Sequence, residues 1–227
     1  MCWGCLLRII NQSFKIISPI EKNIIQEIEK IGRVCYKSEG KITEDSAITF
    51  VKNIIKSGHQ SIIEHKNVSV TFITNRGVTH ELVRHRLASY SQESTRYVNY
   101  NKKEMEFIKP VWIENDFLIN VWDYSLRNIF VNKLTDDELI FLDSCLYAEL
   151  CYKSLLSRKW KAEQAREVLP NCLKTEINVT ANLREWRHIF NLRCAKAAHP
   201  QIRKLMCDCL NKFKEEIPII FDDLNYD

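Results

Sequence analysis

Glycine is scarce in this chain, and its scarcity limits the ways in which a phosphate could be bound. Only 5 glycines occur in 227 residues, at positions 4, 32, 40, 58 and 77. None of them forms a G-x-G-x-x-G or G-x-x-x-x-G-K-[ST] pattern, the two motifs that bind phosphate through main-chain N–H groups. The sequence therefore argues against a Rossmann-type or P-loop site. If the protein binds a nucleotide, side chains must hold its phosphate.

Long apolar runs are also missing. No run approaches the roughly 20 residues that a membrane-spanning helix needs. Residues 1–8 have neither the basic leader nor the apolar core of a signal peptide, so we expect a cytoplasmic protein. The formal net charge of +4 is modest. Whole-molecule charge therefore gives no argument for nucleic-acid binding.

The cysteines lack a pairing pattern. There are 9 of them, an odd and scattered set, which predicts reduced thiols in a cytosolic protein. Cys2 and Cys5 have the spacing of metal ligands, but no second pair follows, because Cys207 and Cys209 are one residue too close. We therefore expect no metal site.

What the chain does contain is a dense group of hydrogen-bond donors in residues 80–97. Arginine forks and hydroxyl groups suit a phosphate, and here they are Arg84, Arg86, Ser89, Ser91, Ser94, Thr95 and Arg96. A solvated polar loop is the plainer interpretation. A third interpretation is a nucleic-acid-binding module over residues 84–103. There Tyr90, Tyr97 and Tyr100 lie among the basic residues and would stack on bases.

The order of these residues resembles a family signature. Arg84-His85-Arg86, seven further residues and then Ser94 resemble the signature of the flavin-dependent thymidylate synthases. Three more segments resemble motifs of that family: the Gly-His-x-Ser-x-x-Glu-His run at residues 58–65, the Ala-Arg-x-Val-Leu-Pro run at residues 165–170, and residues 180–193. Four motifs in the right order are specific, whereas one would not be.

The resemblance implies a fold and a reaction. The implied fold is α+β, a single domain over residues 1–227 with a mixed or antiparallel sheet flanked by helices. The implied reaction is the FAD-dependent reductive methylation of dUMP to dTMP, with 5,10-methylenetetrahydrofolate as carbon donor and NADPH as reductant. It uses no cysteine nucleophile. A homotetramer with shared active sites is implied as well.

The resemblance also assigns site residues. Arg193 is the expected catalytic residue, placed against the uracil. The expected dUMP residues are Glu81, Arg84, Gln92, Glu93, Ser94, Thr95, Arg96, Arg166 and Arg193. The expected FAD residues are Ser61, Arg84, His85, Arg86, Gln92, Asn182, Leu183, Arg184 and His188. His85 should favour its neutral form, because arginines on both sides oppose its protonation.

Four residues depart from the family pattern: Cys35, Glu81, Ser91 and His188. Cys35 stands where the family often has serine, Glu81 where it often has glutamine, and His188 where it often has asparagine.

Capping residues and apolar periodicity predict the helices. Thr135 predicts a long helix that ends near Ser157, and Asn182 predicts a helix over residues 183–193. The other predicted helices are residues 18–32 begun by Ser18, residues 43–58 begun by Thr43 and ended by Gly58, residues 76–86, residues 160–169 and residues 201–216. Aromatic residues predict a helical insert at 112–130, and the acidic residues 222–227 should be frayed.

Alternation of apolar and polar residues predicts the strands. The pattern is clearest at residues 68–72 and 175–179. Residues 105–110 form a further predicted strand, and residues 6–11 a predicted edge strand.

Overall fold

The structure, a computed structural model, describes residues 6–101, 104–119, 121–123 and 131–226. The strands are β1 Leu6–Ile10, β2 Ser13–Ile16, β3 Asn67–Asn75, β4 Ala88–Gln92, β5 Met105–Ile108, β6 Val121–Asp123 and β7 Lys174–Asn182. The helices are α1 Ile24–Tyr36, α2 Ser46–Lys56, α3 Arg76–Leu82, α4 Asp136–Ser157, α5 Ala162–Ala165, α6 Leu183–Arg193 and α7 Pro200–Glu216. Short 3-10 turns occur at Glu39–Lys41, Gln60–His65, Asp116–Leu118, Val131–Lys133 and Arg166–Val168.

The strands form two sheets, in the orders β5-β1-β6 and β2-β3-β7-β4. β1 pairs with β5 in parallel and with β6 antiparallel. β3 and β7 run antiparallel. The side chain of Ser69 is hydrogen-bonded to Thr180 and that of Thr71 to Asn178, so residue numbers rise along β3 where they fall along β7. The combination of helices with one mixed sheet and a second sheet confirms the predicted α+β class. Within the described residues, no helix is both long and apolar enough to span a membrane.

The chain divides into two compact units, each assembled from separate segments. The first unit contains the described parts of residues 1–13, 72–82 and 91–177, and the second contains residues 14–71, 83–90 and the described part of 178–227. That the whole chain is a single domain stays a prediction.

The first unit is built around the β5-β1-β6 sheet. Leu7 and Ile9 of β1 are fully buried with Phe107 of β5, and Leu142 and Tyr152 of α4 belong to the same apolar cluster. α4 begins at the predicted cap, Thr135. Its Oγ1 accepts from the Glu138 amide and the Glu138 carboxylate accepts from the Thr135 amide, which together form a capping box. The prediction of this helix from its cap and end is confirmed.

The second unit is built around α6. The side chain of Trp186 is fully buried and its Nε1 donates to the Val68 carbonyl of β3 at 3.0 Å, which fixes α6 against that strand. Phe190, Phe213 and Phe221 complete an aromatic cluster with centroid separations between 5.1 and 5.8 Å. The N-cap prediction for α6 is confirmed, since Asn182 Oδ1 accepts from the Glu185 amide.

The first two predicted helices have wrong boundaries. Ser18 does not cap α1: its Oγ accepts from the Ser69 amide, and the helix begins at Ile24. Gly32 does not end α1, which continues to Tyr36. A Cβ at position 32 would lie 2.6 Å from the Phe50 ring. Glycine is needed there for close helix packing. α2 begins at Ser46 instead of at Thr43, and Gly58, at φ +72°, follows its end as predicted.

Three further predictions are corrected. Leu6–Ile10 is a central strand, since it pairs on both sides. α3 ends at Leu82, four residues before the predicted end at residue 86. The predicted helical insert has only a 3-10 turn and the strand β6 among the described residues 111–119 and 121–123. Phe130 lies outside the described residues.

The acidic C-terminal segment is packed, contrary to the prediction that it is frayed. Arg187 of α6 is 5% exposed, and it donates to both carboxylate oxygens of Asp223 at 2.7 Å and to the Ile220 carbonyl. This pairing lowers the pKa of Asp223. Phe221 and Leu224 are buried on either side. A buried guanidinium needs an anion, and Asp223 supplies it.

Replacing Asp223 with alanine should destabilise the protein, because it leaves the buried Arg187 guanidinium without its carboxylate. Hydrogen bonds to charged groups contribute about 1.5–3 kcal/mol, and we expect a loss in that range by urea denaturation. Asp208→Ala is the matched control, since the Asp208–Lys204 pair is exposed and should contribute roughly 0.5 kcal/mol or less. Equal effects of the two variants would contradict the anchoring role.

Candidate active site

A polar pocket of about 870 Å³ lies in the second unit. Its lining includes five arginines and only two glutamates, Glu64 and Glu185. An excess of guanidinium groups suits a ligand with several negative charges. The predicted site residues that line it are Arg84, His85, Arg86, Asn182, Arg184, His188 and Arg193.

Two other predicted FAD residues of this unit lie outside that lining. Ser61 is exposed in the 3-10 turn that also carries the lining residues Gln60 and Glu64. Leu183 is fully buried, and its amide donates to the Lys66 carbonyl, so it fixes the start of α6. Arg184 forms an ion pair with Glu64 at 2.5 Å.

The centre of the pocket wall is the hydrogen bond between Arg193 and His85. Arg193 Nε donates to His85 Nε2 at 2.9 Å. His85 is 4% exposed. Tyr90 of β4 holds the histidine in place, since its hydroxyl donates to the main-chain carbonyl of His85 at 2.7 Å. Arg193 is in the last turn of α6, so that helix positions the guanidinium.

His85 is neutral, as predicted, but for a different main reason. Burial lowers the pKa of His85 to about 4, with smaller contributions from the charges of Arg193 and His188. Arg84 and Arg86, the arginines on either side of His85 in the sequence, are exposed. Burial disfavours the charged imidazolium, and the adjacent guanidinium adds to that effect.

Glu185 is a buried acid of this site that the sequence did not predict as a site residue. It is 6% exposed, and its Oε1 lies 3.8 Å from His85 Nδ1. Burial raises the pKa of Glu185. Its position three residues after Asn182 identifies it only as an acid in the first turn of a helix, so no local signal links it to His85.

One ligand atom from each of His85, Glu185 and His188 lies within 4.8 Å of the others, a spacing that a metal ion could use. The Arg193 hydrogen bond opposes this interpretation. It requires the lone pair on His85 Nε2, and a neutral imidazole has only one such nitrogen. A metal on Nδ1 would leave two N–H groups facing each other at Nε2.

A second group of predicted residues lies in the first unit. Glu93 accepts from the Tyr100 hydroxyl at 2.9 Å and lies 3.5 Å from Lys174 Nζ. Gln92 Nε2 donates to the hydroxyls of Thr79 and Thr175, both fully buried. These contacts hold two adjacent side chains in fixed orientations at the end of β4.

Thr95 and Arg166 are partners in the same unit. Thr95 is 5% exposed, and its hydroxyl accepts from Arg166 Nη1 at 3.5 Å. Ser94 Oγ accepts from the Arg96 amide, which makes a tight turn there. The Arg96 guanidinium is exposed over the Tyr97 ring at 5.5 Å. Glu81 is half-buried in α3.

The tyrosines do not form the stacking surface that the nucleic-acid interpretation required. Tyr97 is 80% exposed, but Tyr100 is 7% exposed and bound to Glu93. Tyr90 is half-buried and bound to the His85 carbonyl. Lys102 and Lys103 lie outside the described residues.

The described cysteine next to Arg193 is unsuited to nucleophilic attack. Cys194, which follows Arg193, is fully buried, and burial raises its pKa. Among the described residues, Cys35 is an exposed thiol. The Cys2–Cys5 pair lies outside the described residues.

Pocket size alone does not identify the site. A pocket of about 900 Å³ in the first unit is lined by residues between Pro110 and Phe141. Its buried acid, Glu138, is used in the cap of α4 and accepts from Asn115. The concentration of guanidinium groups and the buried histidine distinguish the pocket of the second unit.

Comparison with a solved structure supports the fold. The crystal structure of a UMP/dUMP methylase, PolB from Streptomyces cacaoi, bound with 5-Br dUMP, matches with a TM-score of 0.72. The match covers 95% of this chain and 96% of that chain at 20% sequence identity. At this identity the likeness concerns the fold.

Sequence comparison gives the family. Residues 19–219 match the family model described as thymidylate synthase complementing protein. A flavin-dependent thymidylate synthase from Mycolicibacterium gilvum is 38% identical over 204 residues, 86% of this chain and 78% of the relative. One from Corynebacterium diphtheriae is 35% identical over 205 residues, 86% of this chain and 77% of the relative. With the four motifs, these matches show that the chain belongs to the thymidylate synthase complementing protein family, the flavin-dependent thymidylate synthases.

Proposed function

We propose that the protein catalyses the reductive methylation of dUMP to dTMP with a flavin cofactor. The observation that carries the proposal is the buried, neutral His85 that accepts from Arg193 in an arginine-rich pocket. Relatives of the same family are named for this activity. Flavin, when bound, supplies the redox chemistry of the reaction.

The donor set of the pocket fits FAD. The pyrophosphate of FAD needs several charged donors, and Arg84, Arg86 and Arg184 carry exposed guanidinium groups in the pocket lining. A neutral His85 contributes no further positive charge. We assign the lining residues Arg84, His85, Arg86, Asn182, Arg184 and His188 to FAD, together with Ser61, Gln92 and Leu183, which lie outside the lining.

Arg193 is the proposed catalytic residue. A uracil ring becomes more nucleophilic at C5 when N3 loses its proton, and a fixed guanidinium stabilises the negative charge that results. The bond to His85 supports this role, because it limits the orientations that Arg193 can adopt. Removing a charge-stabilising donor of this kind typically costs a factor of about 10²–10³ in rate.

The other donors are assigned to dUMP, with the phosphate taking most of them. The paired Thr95 and Arg166 supply a hydroxyl and a guanidinium. Ser94 and Arg96, on either side of Thr95, follow strand β4. Glu93 is an anion, so it suits a sugar hydroxyl better than a phosphate. The full set assigned to dUMP is Glu81, Arg84, Gln92, Glu93, Ser94, Thr95, Arg96, Arg166 and Arg193.

The remaining parts of the proposal follow the family. We propose 5,10-methylenetetrahydrofolate as carbon donor and NADPH as reductant, with no cysteine nucleophile. The high pKa that burial gives to Cys194 agrees with that last point. We also propose a homotetramer in which chains share active sites.

The test of the function is turnover by the purified protein. With FAD, dUMP, 5,10-methylenetetrahydrofolate and NADPH, we expect dTMP to form, and the sample should show the visible absorbance of oxidised flavin. Omitting the flavin from a flavin-stripped sample should abolish product. A colourless protein that binds oligonucleotides in a salt-sensitive manner and forms no dTMP would contradict the proposal.

Arg193→Ala should reduce turnover far more than flavin content. We expect kcat to fall by about 10²–10³, because one charge-stabilising donor is lost. Steady-state kinetics and flavin absorbance measure the two quantities. Lys196→Ala is the control, since Lys196 is an exposed cation outside the pocket lining and its loss should leave both unchanged. Turnover of Arg193→Ala within a few-fold of the parent would contradict the assignment.

The low pKa of His85 predicts a pH dependence of stability. The pKa of His85 is lowered from 6.5 to about 4 in the folded protein. Between these values the unfolded chain binds a proton that the folded protein does not, so acid favours unfolding. The free energy of unfolding should fall between pH 6.5 and pH 4, with up to about 3 kcal/mol of that fall due to His85.

Urea denaturation across this pH window measures the effect. His85→Gln should lose the corresponding part of the pH dependence, whereas His80→Gln, at an exposed histidine, should keep it. A wild-type pH dependence in His85→Gln would show that the histidine is not buried neutral.

A further inference from the structure

The direction of the Arg193–His85 hydrogen bond determines the tautomer of the histidine. A guanidinium has only donors and stays protonated in proteins. Because Arg193 Nε donates to His85 Nε2 at 2.9 Å, Nε2 must present its lone pair. A neutral imidazole then has its proton on Nδ1. The alternative tautomer would bring two N–H groups together, and Arg193 would have to turn away.

Glu185 is the group that faces the Nδ1 proton. Its Oε1 lies 3.8 Å from His85 Nδ1, and both side chains are buried. That distance exceeds a hydrogen bond, so the effect is an attraction between the carboxylate and the N–H dipole. In a buried setting this attraction is only weakly screened. An ionised Glu185 therefore favours the tautomer that Arg193 requires.

The remaining groups around His85 do not provide this preference. The Tyr90 hydroxyl bonds the main-chain carbonyl of His85 and leaves the ring untouched. The His188 ring meets the His85 ring edge-on, with centroids 5.7 Å apart. His188 and Arg193 both oppose a positive charge on His85. Among the described groups around His85, Glu185 is the carboxylate that lies beside Nδ1.

We infer that Glu185 is a positioning residue, which orients Arg193 by holding His85 in its Nδ1–H tautomer. The inference rests on the proposed function, in which Arg193 acts on the uracil. Glu185 need not touch the substrate or the flavin for this role. It acts on the reaction through two side chains of the same unit.

A purely structural role for Glu185 makes different predictions. Glu185 is also an acid in the first turn of α6, where a carboxylate stabilises a helix. Glu138 has the same place in α4: each follows its N-cap by three residues, and each is 6% exposed. Glu138→Gln is thus a matched control for effects of helix capping and stability.

The first test reads the tautomer directly, in the flavin-stripped protein. The ¹⁵N resonances of selectively labelled histidine distinguish Nδ1–H from Nε2–H, and the His85→Gln spectrum assigns the signal of His85. We expect Nδ1–H in the parent and in Glu138→Gln. We expect a mixture, or mostly Nε2–H, in Glu185→Leu. Glu185→Gln keeps an acceptor without the charge and should be intermediate. An unchanged Nδ1–H signal in folded Glu185→Gln and Glu185→Leu would overturn the inference.

The second test reads the consequence for the reaction. Glu185→Leu should lower kcat by about tenfold or more, up to the 10²–10³ cost of losing Arg193 itself, with a smaller change in the KM for dUMP. In combination with Arg193→Ala it should add little, because both changes act on one guanidinium. Independent, multiplying losses would overturn the inference.

The two tests separate failure of the inference from failure of the proposed function. If Arg193→Ala retains parental turnover, the proposed role of Arg193 is wrong whatever Glu185 does. If Arg193→Ala is impaired while Glu185→Leu keeps both the Nδ1–H signal and parental kcat, only the inference fails.

Discussion

The donation from Arg193 to a buried neutral histidine is the constraint on which the candidate site depends. The hydrogen bond needs His85 to be uncharged, and burial is the main reason that it is. It also needs the last turn of α6, which contains Arg193, to lie close to the turn after α3, which contains His85. Charge state and helix placement are therefore linked. A change that exposed His85 to water would weaken the orientation of Arg193 as well.

The position of α6 is fixed at several points along its length. Asn182 caps its first turn, the Trp186 indole bonds the Val68 carbonyl, and Arg187 binds the segment that contains Asp223. The Trp186 contact places the helix on β3. The third uses a buried cation whose partner comes from the C-terminal segment. Asn182, Arg184, His188 and Arg193 project from this fixed helix, as a precise binding site requires.

The site residues of the first unit are organised by a different kind of contact. Gln92 and Glu93 are held by buried hydroxyls and by Lys174, and Thr95 is paired with Arg166. None of these contacts involves a glycine-rich loop. This agrees with the scarcity of glycine in the sequence: the hydrogen-bond donors come from side chains, and these are held in place by other side chains. This arrangement keeps guanidinium and hydroxyl groups available for an anionic ligand.

Local rules in the sequence determined the strands β3 and β7 and the helices that begin after Thr135 and Asn182. Alternation and capping depend only on neighbouring residues, so they can be read without a structure. The four motifs also identified the family. Tertiary structure alone decided that α3 stops at Leu82, that Gly32 lies inside a helix against Phe50, and that Arg187 binds Asp223. It alone placed Glu185 beside His85, because burial and pairing of side chains 100 residues apart depend on packing, which no local pattern records.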